Sequence, residues 1–364
     1  MKVIRTFDIK LKPNKHQEHQ LNQYFYEGKI LYNFILAQKD VFKFNPCRNI
    51  NVVKLDKDGN EIPVTISTLP SKLRQNIHRR ICDSIKGLSA AKKKGMKVGK
   101  LKFKSNIKII DVDNQSYRIV DDYHIKLAGF RRSAIRCLGL KQLGRIQELK
   151  FCGSTLEKTP SGFIFHLTIS KEEDCVKRDK NLGIDMGIKD TMTFSNGEKH
   201  KCIVEESARL KKIQKKMAKS LRLNGKKRTN NYRKLQSQLR REHQKLSNKK
   251  IEFKRQMMHK FNQYDHVAFQ DESLVGWRNL KNCRKTIQHS CLGSIKWELI
   301  MRSQSEPQKY ICLDKWLPTT QYCPRCKSKN KLTLDQRVYR CNCGYVEDRD
   351  IHAARNMLIF ANIS

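Results

Sequence analysis

The chain has 364 residues, with 76 Lys or Arg against 35 Asp or Glu and a formal net charge of +41. A surplus of that size excludes an ordinary enzyme of small neutral metabolites and points to a polyanionic partner, because one-sided positive charge promotes nucleic-acid association. The length predicts two or three domains, and no apolar run approaches the roughly 20 residues of a membrane-spanning helix.

The chain opens with VIRTFDIKL, whose alternation predicts a strand. From Asn14 to about Lys97 the spacing is helical: Leu21, Phe25 and Ile30 to Phe34 form one stripe, and Leu73, Ile77, Ile81 and Ile85 another. Inside that block, Asn49 to Pro63 has hairpin or loop chemistry around LDKDGNEIP, and a basic stretch, Lys92 to Lys104, follows it. From Ile107 to Ser170 the pattern is one of short strands. ELKFCGSTLEK and GFIFHLTIS flank the turn TPSG. With the first strand they predict a small antiparallel β-barrel that carries the helical block as an insertion.

NLGIDMGIKDTMTFSNG then reads as strand, turn, strand. Glu205 to about Tyr264 is helical, with 20 Lys or Arg against 4 Asp or Glu between Val204 and Lys260. Leu210, Ile213, Met217 and Leu221 form a narrow apolar seam, and the break LNGKKRTNN at Leu223 to Asn231 predicts a helical hairpin. Its cationic outer faces suit phosphates. HVAFQDES reads as a buried strand ending in acid, IKWELIMRS as a helix, KYICLDKW as a strand and VEDRDIHAARNMLIF as a final helix.

Three acidic positions sit on or beside apolar elements: Asp185 in LGIDMGI, Glu272 with Asp271 where HVAF runs out, and Asp350 at the start of DIHAARNML. A buried carboxylate is costly unless it is paired or binds a cation. A cluster of them suits Mg²⁺, which reconciles acidic side chains with an anionic substrate. Each has an ordinary alternative: Asp350 as a helix N-cap, Asp185 as a turn residue, Glu272 as a surface acid.

Of 13 cysteines, four are clustered as Cys323-Pro-Arg-Cys326 and, after 14 residues, Cys341-Asn-Cys343-Gly344. Two separated knuckles predict a closed tetrahedral site for one structural Zn²⁺. The second knuckle is CxC, and Lys327 stands where a glycine often follows the first. The other nine read as ordinary reduced thiols. The opening MKVIRTFDIK lacks a signal-peptide apolar region, so the expected location is the cytoplasm, with no membrane partner.

The order GIDMG, basic hairpin, QDESLVGW, PTTQYCPRC, CNCGY and DRDIHAARN resembles the TnpB (OrfB) proteins of insertion sequences and the related compact type V CRISPR effectors, closely over about residues 180–360. The resemblance implies an α+β multidomain chain. Residues 1–13 plus 98–180 form a wedge-like β-barrel, 14–97 a helical recognition insertion, 181–318 plus 347–364 an RNase H-like RuvC nuclease domain, and 319–346 an inserted zinc ribbon. It further implies an RNA-guided DNA endonuclease with two catalytic Mg²⁺ and one structural Zn²⁺. The partners are a guide RNA from the transposon end and target double-stranded DNA, one chain holding one RNA in a prokaryotic cytoplasm and acting at the nucleoid. A short DNA motif is read by the barrel and its helices, as base pairing reads the rest. Lys92 to Lys104 and Arg209 to Lys260 are candidate backbone contacts.

Asp185 matches the family's first RuvC aspartate, in G-I-D-x-G, and Asp350 the last, in D-x-N-A-A. His352 stands where the family has asparagine, which alters a hydrogen bond behind the site. For the middle acid, ungapped alignment puts Gln270 on the family's glutamate. Glu272, two residues on and hence on the same strand face, is the expected ligand, with Asp271 as fallback. The alternatives are a nuclease-inactive RNA-guided DNA-binding regulator, a DNA transposase of the DDE type, and a zinc-ribbon nucleic-acid binder without enzyme activity.

Overall fold

The computed structural model describes residues 2–47, 50–55, 61–130, 133–143, 150–172, 180–279, 283–333 and 335–363. The centre of the expected loop around LDKDGNEIP, residues 56–60, and Glu148 and Leu149 of ELKFCGSTLEK lie outside them. The chain divides into two compact units, Met1–Cys175 and Val176–Ser364. Among the described residues, no helix is long and apolar enough to cross a membrane.

The first unit runs β1 (Lys2–Lys12), α1 (Lys15–Leu36), β2 (Ile50–Leu55), β3 (Glu61–Ile66), α2 (Ser71–Lys93), β4 (Ile109–Val112), β5 (Tyr117–Asp121), β6 (His124–Leu127), β7 (Ile135–Leu138), β8 (Lys150–Phe151), β9 (Ser154–Thr159) and β10 (Gly162–Glu172). Asn14 starts α1 through a reciprocal cap: the Gln17 amide donates to Asn14 Oδ1 at 2.8 Å, and the Asn14 amide to Gln17 Oε1 at 3.0 Å. Between the two helices, β2 and β3 pair as a hairpin. Among the described residues the main sheet has the order β4-β9-β10-β1-β7-β6-β5, with β8 also on β10, and every pairing is antiparallel. The helical block thus enters between strands of one sheet. The edge strands β4 and β5 are not paired with each other among the described residues, so the sheet is a half-barrel rather than a closed barrel. Helices supply the reason. Leu21 and Phe25 of α1 and Ile77 and Ile81 of α2 share one core with Ile110, Leu156 and Phe163. A sheet whose apolar face is already covered needs no closure to bury it.

The second unit runs β11 (Asn181–Asp185), β12 (Met192–Phe194), β13 (Lys199–His200), α3 (Ala208–Leu223), α4 (Asn230–Phe261), β14 (His266–Gln270), α5 (Leu274–Asn279), α6 (Arg284–His289), α7 (Leu292–Ser305), β15 (Tyr310–Leu313), β16 (Val338–Arg340), β17 (Val346–Asp348) and α8 (Arg349–Phe360). Its main sheet has the order β13-β12-β11-β14-β15. β11, β14 and β15 are parallel, and β12 and β13 continue the sheet antiparallel. Parallel strands covered on both faces read as continuous apolar runs, and Leu182, Ile184, Val267, Ala268 and Phe269 have no exposed surface (0%). Met258 and Phe261 of α4 and Ile295 and Leu299 of α7 pack in the same core as Leu182, Ile184 and Phe269. On α8, Ala354 comes so near the sheet that a Cβ on Gly183 would stand 1.8 Å from its carbonyl oxygen. The glycine of GID is therefore a seat for the helix.

The hairpin of α3 and α4 forms as its seam predicts. Ser207 and Thr229 cap the two helices, and Ile213, Met217 and Tyr232 are buried between them. Gly225 and Lys226 turn the chain at φ 57° and 64°. Lys211, Lys212, Lys215, Lys216 and Lys219 are left exposed. One boundary differs from expectation. Val346 to Asp348 are the strand β17, and the last helix starts at Arg349, because pairing of Arg340 with Val346 and Val338 with Asp348 engages that backbone.

Candidate functional site

In an open sheet, ligands gather at the carboxyl ends of the parallel strands. Here β11 and β14 end side by side, Ile184 pairing with Phe269. Asp185 is the last residue of β11 and also pairs with Thr193 of β12. Burial raises the pKa of its carboxyl well above the usual range. The negative charges of Asp350 and Glu272 raise it further, while Arg349 opposes them. Asp185 thus sits in the fields of both other expected acids.

Asp350 lies in the first turn of α8 but is not its cap. Asp348 is the cap: its Oδ1 accepts from the amides of Asp350 at 3.1 Å and Ile351 at 3.2 Å. Lys199 Nζ donates to Asp348 Oδ2 at 2.8 Å. Although burial raises the Asp348 pKa, these bonds outweigh it and hold the carboxyl below its ordinary value. Asp350 is left with Arg349, whose Nε lies 3.4 Å from Oδ1. Asp348 escapes sequence reading because three acids stand within four positions, and nothing local says which one ends a strand.

Tertiary contacts distinguish the three candidates for the middle position. β14 stops at Gln270, and the Glu272 amide donates back to the Gln270 carbonyl at 3.0 Å. Strand alternation therefore does not extend to Glu272, and the same-face argument fails. Gln270 is 3% exposed and fully engaged. Its Nε2 donates to the carbonyls of Asp314 and Leu317, both at 2.9 Å, and its Oε1 accepts from Thr319 Oγ1 at 3.1 Å. Asp271 is exposed and paired with Lys296 of α7 at 2.6 Å. Lys296 also donates to the Glu272 carbonyl. Burial raises the Glu272 pKa, with Lys296 opposing and Asp271 reinforcing. The charge of Glu272 is among the causes that raise Asp185, after burial and Asp350.

A divalent cation fits these acids chemically, since it would offset the burial and the like charges that raise Asp185. Among the described residues, however, the acids are not drawn into a set of three ligand atoms within 4.8 Å of one another. The four cysteines are.

Cys323 Sγ lies 3.6 Å from Cys343 Sγ, and Cys326 Sγ 3.4 Å from Cys341 Sγ. Both knuckles close through left-handed residues. The Lys327 amide donates to the Cys323 carbonyl at 2.9 Å with φ 61°, and the Gly344 amide to the Cys341 carbonyl at 3.0 Å with φ 84°. Lys327 accepts there a cost of about 1–2 kcal/mol that glycine would avoid. The Cys341 thiol is lowered to about 5, first by the Cys343 amide and then by the Ser328 hydroxyl. A Cys₄ set of this proximity fits zinc.

His352 is fully buried. Its ring stacks on Tyr339 at 3.9 Å and 16°, and Nε2 lies 3.1 Å from Asn356 Nδ2. Burial, then the charge of Arg355, lowers its pKa to about 4. It is a packing joint between the cysteine ribbon and α8, rather than a partner of Asp350.

Two family models match the chain. The one described as "Probable transposase" (OrfB of IS605) covers residues 165–271, and "Cas12f1-like, TNB domain" covers 299–357. Asp185 falls in the first, and the cysteines and Asp350 in the second; Glu272 stands just past the first. A curated "Putative RNA-guided DNA endonuclease" of Streptomyces pristinaespiralis is 28% identical over 184 residues, which are 49% of this chain and 44% of that protein. The match thus spans less than half of the relative's length. A solved structure, "Cryo-EM structure of the Cas12f1-sgRNA-target DNA complex", aligns at a TM-score of 0.42 and 12% identity, covering 78% of this chain and 70% of that one. Over these two stretches, met in this order along one chain, the protein resembles transposase-related proteins of the TnpB type.

Proposed function

We propose that this chain is the RNA-guided DNA endonuclease of an insertion sequence, cutting target DNA beside a short protein-read motif by metal-ion hydrolysis of a phosphodiester. The observation that carries the reading is Asp185 at the carboxyl end of β11, beside the end of β14 and with α8, whose first turn carries Asp350, packed on the same strand, in a chain of net charge +41. The curated relative's name supports the same activity. In this reading residues 181–318 plus 347–364 are a RuvC domain, 319–346 its zinc ribbon, 1–13 plus 98–180 the wedge-like domain and 14–97 the recognition insertion.

Asp185, Glu272 and Asp350 would hold two Mg²⁺, which when bound supply charge stabilisation to the attacking and leaving oxygens. The chain's own work is positioning. Contact between Gly183 and Ala354 seats α8, whose first turn carries Asp350, on β11, which ends in Asp185. Asp348 anchors the first turn of α8, and Lys296 neutralises Asp271, leaving Glu272 as the middle acid. Cys323, Cys326, Cys341 and Cys343 would hold one Zn²⁺ that closes the ribbon. The exposed lysines of α3 contact the backbone of guide RNA or target DNA, one chain working with one RNA in the prokaryotic cytoplasm.

The test is cleavage of a matched target by the full chain loaded with RNA from its own locus, in Mg²⁺. Asp185→Ala and Asp350→Ala should each slow cutting at least about 10³-fold, with RNA and target binding kept within about threefold. A second reading is a guided DNA binder without cleavage. It is favoured by Gln270, a saturated amide at the strand's last position. Full target binding by the unmutated complex with no cut would select it.

A further inference from the structure

The third parallel strand brings one more residue to the carboxylate edge. Gln270 pairs with Leu313, so the chain leaves β15 beside the point where it leaves β14. Neighbouring strands lie about 4.8 Å apart, which sets the end of β15 roughly 10 Å from that of β11. The residues that follow are tied down. The Trp316 amide donates to Asp314 Oδ1 at 2.7 Å, and the Leu317 amide to the Asp314 carbonyl at 3.2 Å. Gln270 grips the loop from β14 through the carbonyls of Asp314 and Leu317. Leu317 packs with Leu313 and Met357.

On this anchored loop Trp316 is 80% exposed, more than any other large hydrophobic side chain among the described residues. Lys315 Nζ lies 4.8 Å from its ring centroid. An indole left in water beside a cation on an anchored loop is a poor packing residue and a good stacking surface. Every nucleobase offers a π face, and a flanking lysine answers the phosphate.

We propose that Trp316 is a stacking platform for an unpaired base of the DNA strand that crosses the carboxylate edge, with Lys315 at the adjoining phosphate. This rests on the nucleic-acid reading above and names a positioning residue for its substrate. The fixed loop sets where a base is held, and so which phosphodiester lies at the acids.

The experiment measures binding of the full chain to a short fluorescein-labelled single-stranded oligodeoxynucleotide, and to the same strand with abasic sites, by anisotropy without divalent metal. Trp316→Ala should raise Kd for the base-bearing strand about 5- to 150-fold. Trp316→Phe should recover most of that, and the abasic strand should bind wild type and Trp316→Ala alike. Equal binding of the base-bearing strand by wild type and Trp316→Ala overturns the proposal, as does an equal loss on both strands. Guided cleavage, measured in parallel, separates this from the nuclease reading. Tryptophan-dependent stacking without cutting keeps the platform and removes the nuclease. Cutting with no tryptophan effect in either assay removes the platform alone.

Discussion

A single methyl group at Gly183 tests whether the seat of α8 controls the acids. The Cβ of Gly183→Ala would lie 1.8 Å from the Ala354 carbonyl oxygen, 2.8 Å from its carbon and 3.4 Å from Leu358 Cγ. Cβ contacts below 3.0 Å are essentially never found, so helix and strand must part by at least about 1.2 Å. Two of these atoms are backbone and cannot swing away. Overpacking costs about 1–3 kcal/mol and more where backbone must yield, so a loss near 3 kcal/mol is expected. Asp350 lies one helical turn before Ala354, and Asp185 two residues after Gly183. The same shift therefore moves one carboxylate about 1 Å from the other, which costs roughly 10²-fold in rate. Urea unfolding followed by far-ultraviolet circular dichroism reads the first effect, and guided cleavage in Mg²⁺ the second. Gly153→Ala is the control: its Cβ meets nothing within 4 Å, and its stability should stay within about 0.5 kcal/mol of wild type. A Gly183→Ala protein as stable as wild type would refute the contact. One that is destabilised yet cuts at full rate, at a temperature where it is folded, would refute the link from helix seat to carboxylates.

Metal analysis should find about one zinc per chain, and Cys341→Ser should lose it and destabilise the ribbon; a zinc-free, fully folded preparation would overturn this. Glu272→Ala should abolish cleavage, whereas Gln270→Ala should cut but unfold about 2–4 kcal/mol more easily, because it leaves the partners of three hydrogen bonds unsatisfied; the reverse pattern would make Gln270 the functional position. His166 donates to Asp8 at 2.7 Å and to Glu157 at 3.0 Å. The Asp8 bond is the first cause of its raised pKa, burial opposing and Glu157 adding. Its contribution to stability is therefore complete below about pH 6.5 and fades as pH rises through the higher folded value, so the urea midpoint should fall on that rise in wild type and less in His166→Gln. Finally, protein expressed beside its own locus should copurify with one discrete RNA, and sequencing that finds only a random cellular mixture would count against guidance.

Much of the second unit is legible without coordinates, because its signals are local. LGID and HVAF are unbroken apolar runs since both faces of a parallel strand are covered. The α3–α4 hairpin shows in a seam of helical period, and the cysteines converge because each knuckle joins residues two or three apart. What stayed hidden depends on residues far apart in the chain. The half-barrel was not readable because closure turns on whether helices already cover the sheet's apolar face. Strand alternation pointed to Glu272 for a reason that does not hold, since β14 ends two residues earlier. The proposal of Glu272 rests instead on Lys296 pairing with Asp271 and on the loop at Asp314 to Thr319 engaging Gln270. Likewise nothing in the strand LGID marks Gly183 until Ala354 is found against it. Period and spacing along the chain determine which elements form and which side chains are chemically able. Which carboxylates share a field is settled only when strands and helices from distant stretches pack, because Coulomb forces and steric contact act through space and are blind to sequence order.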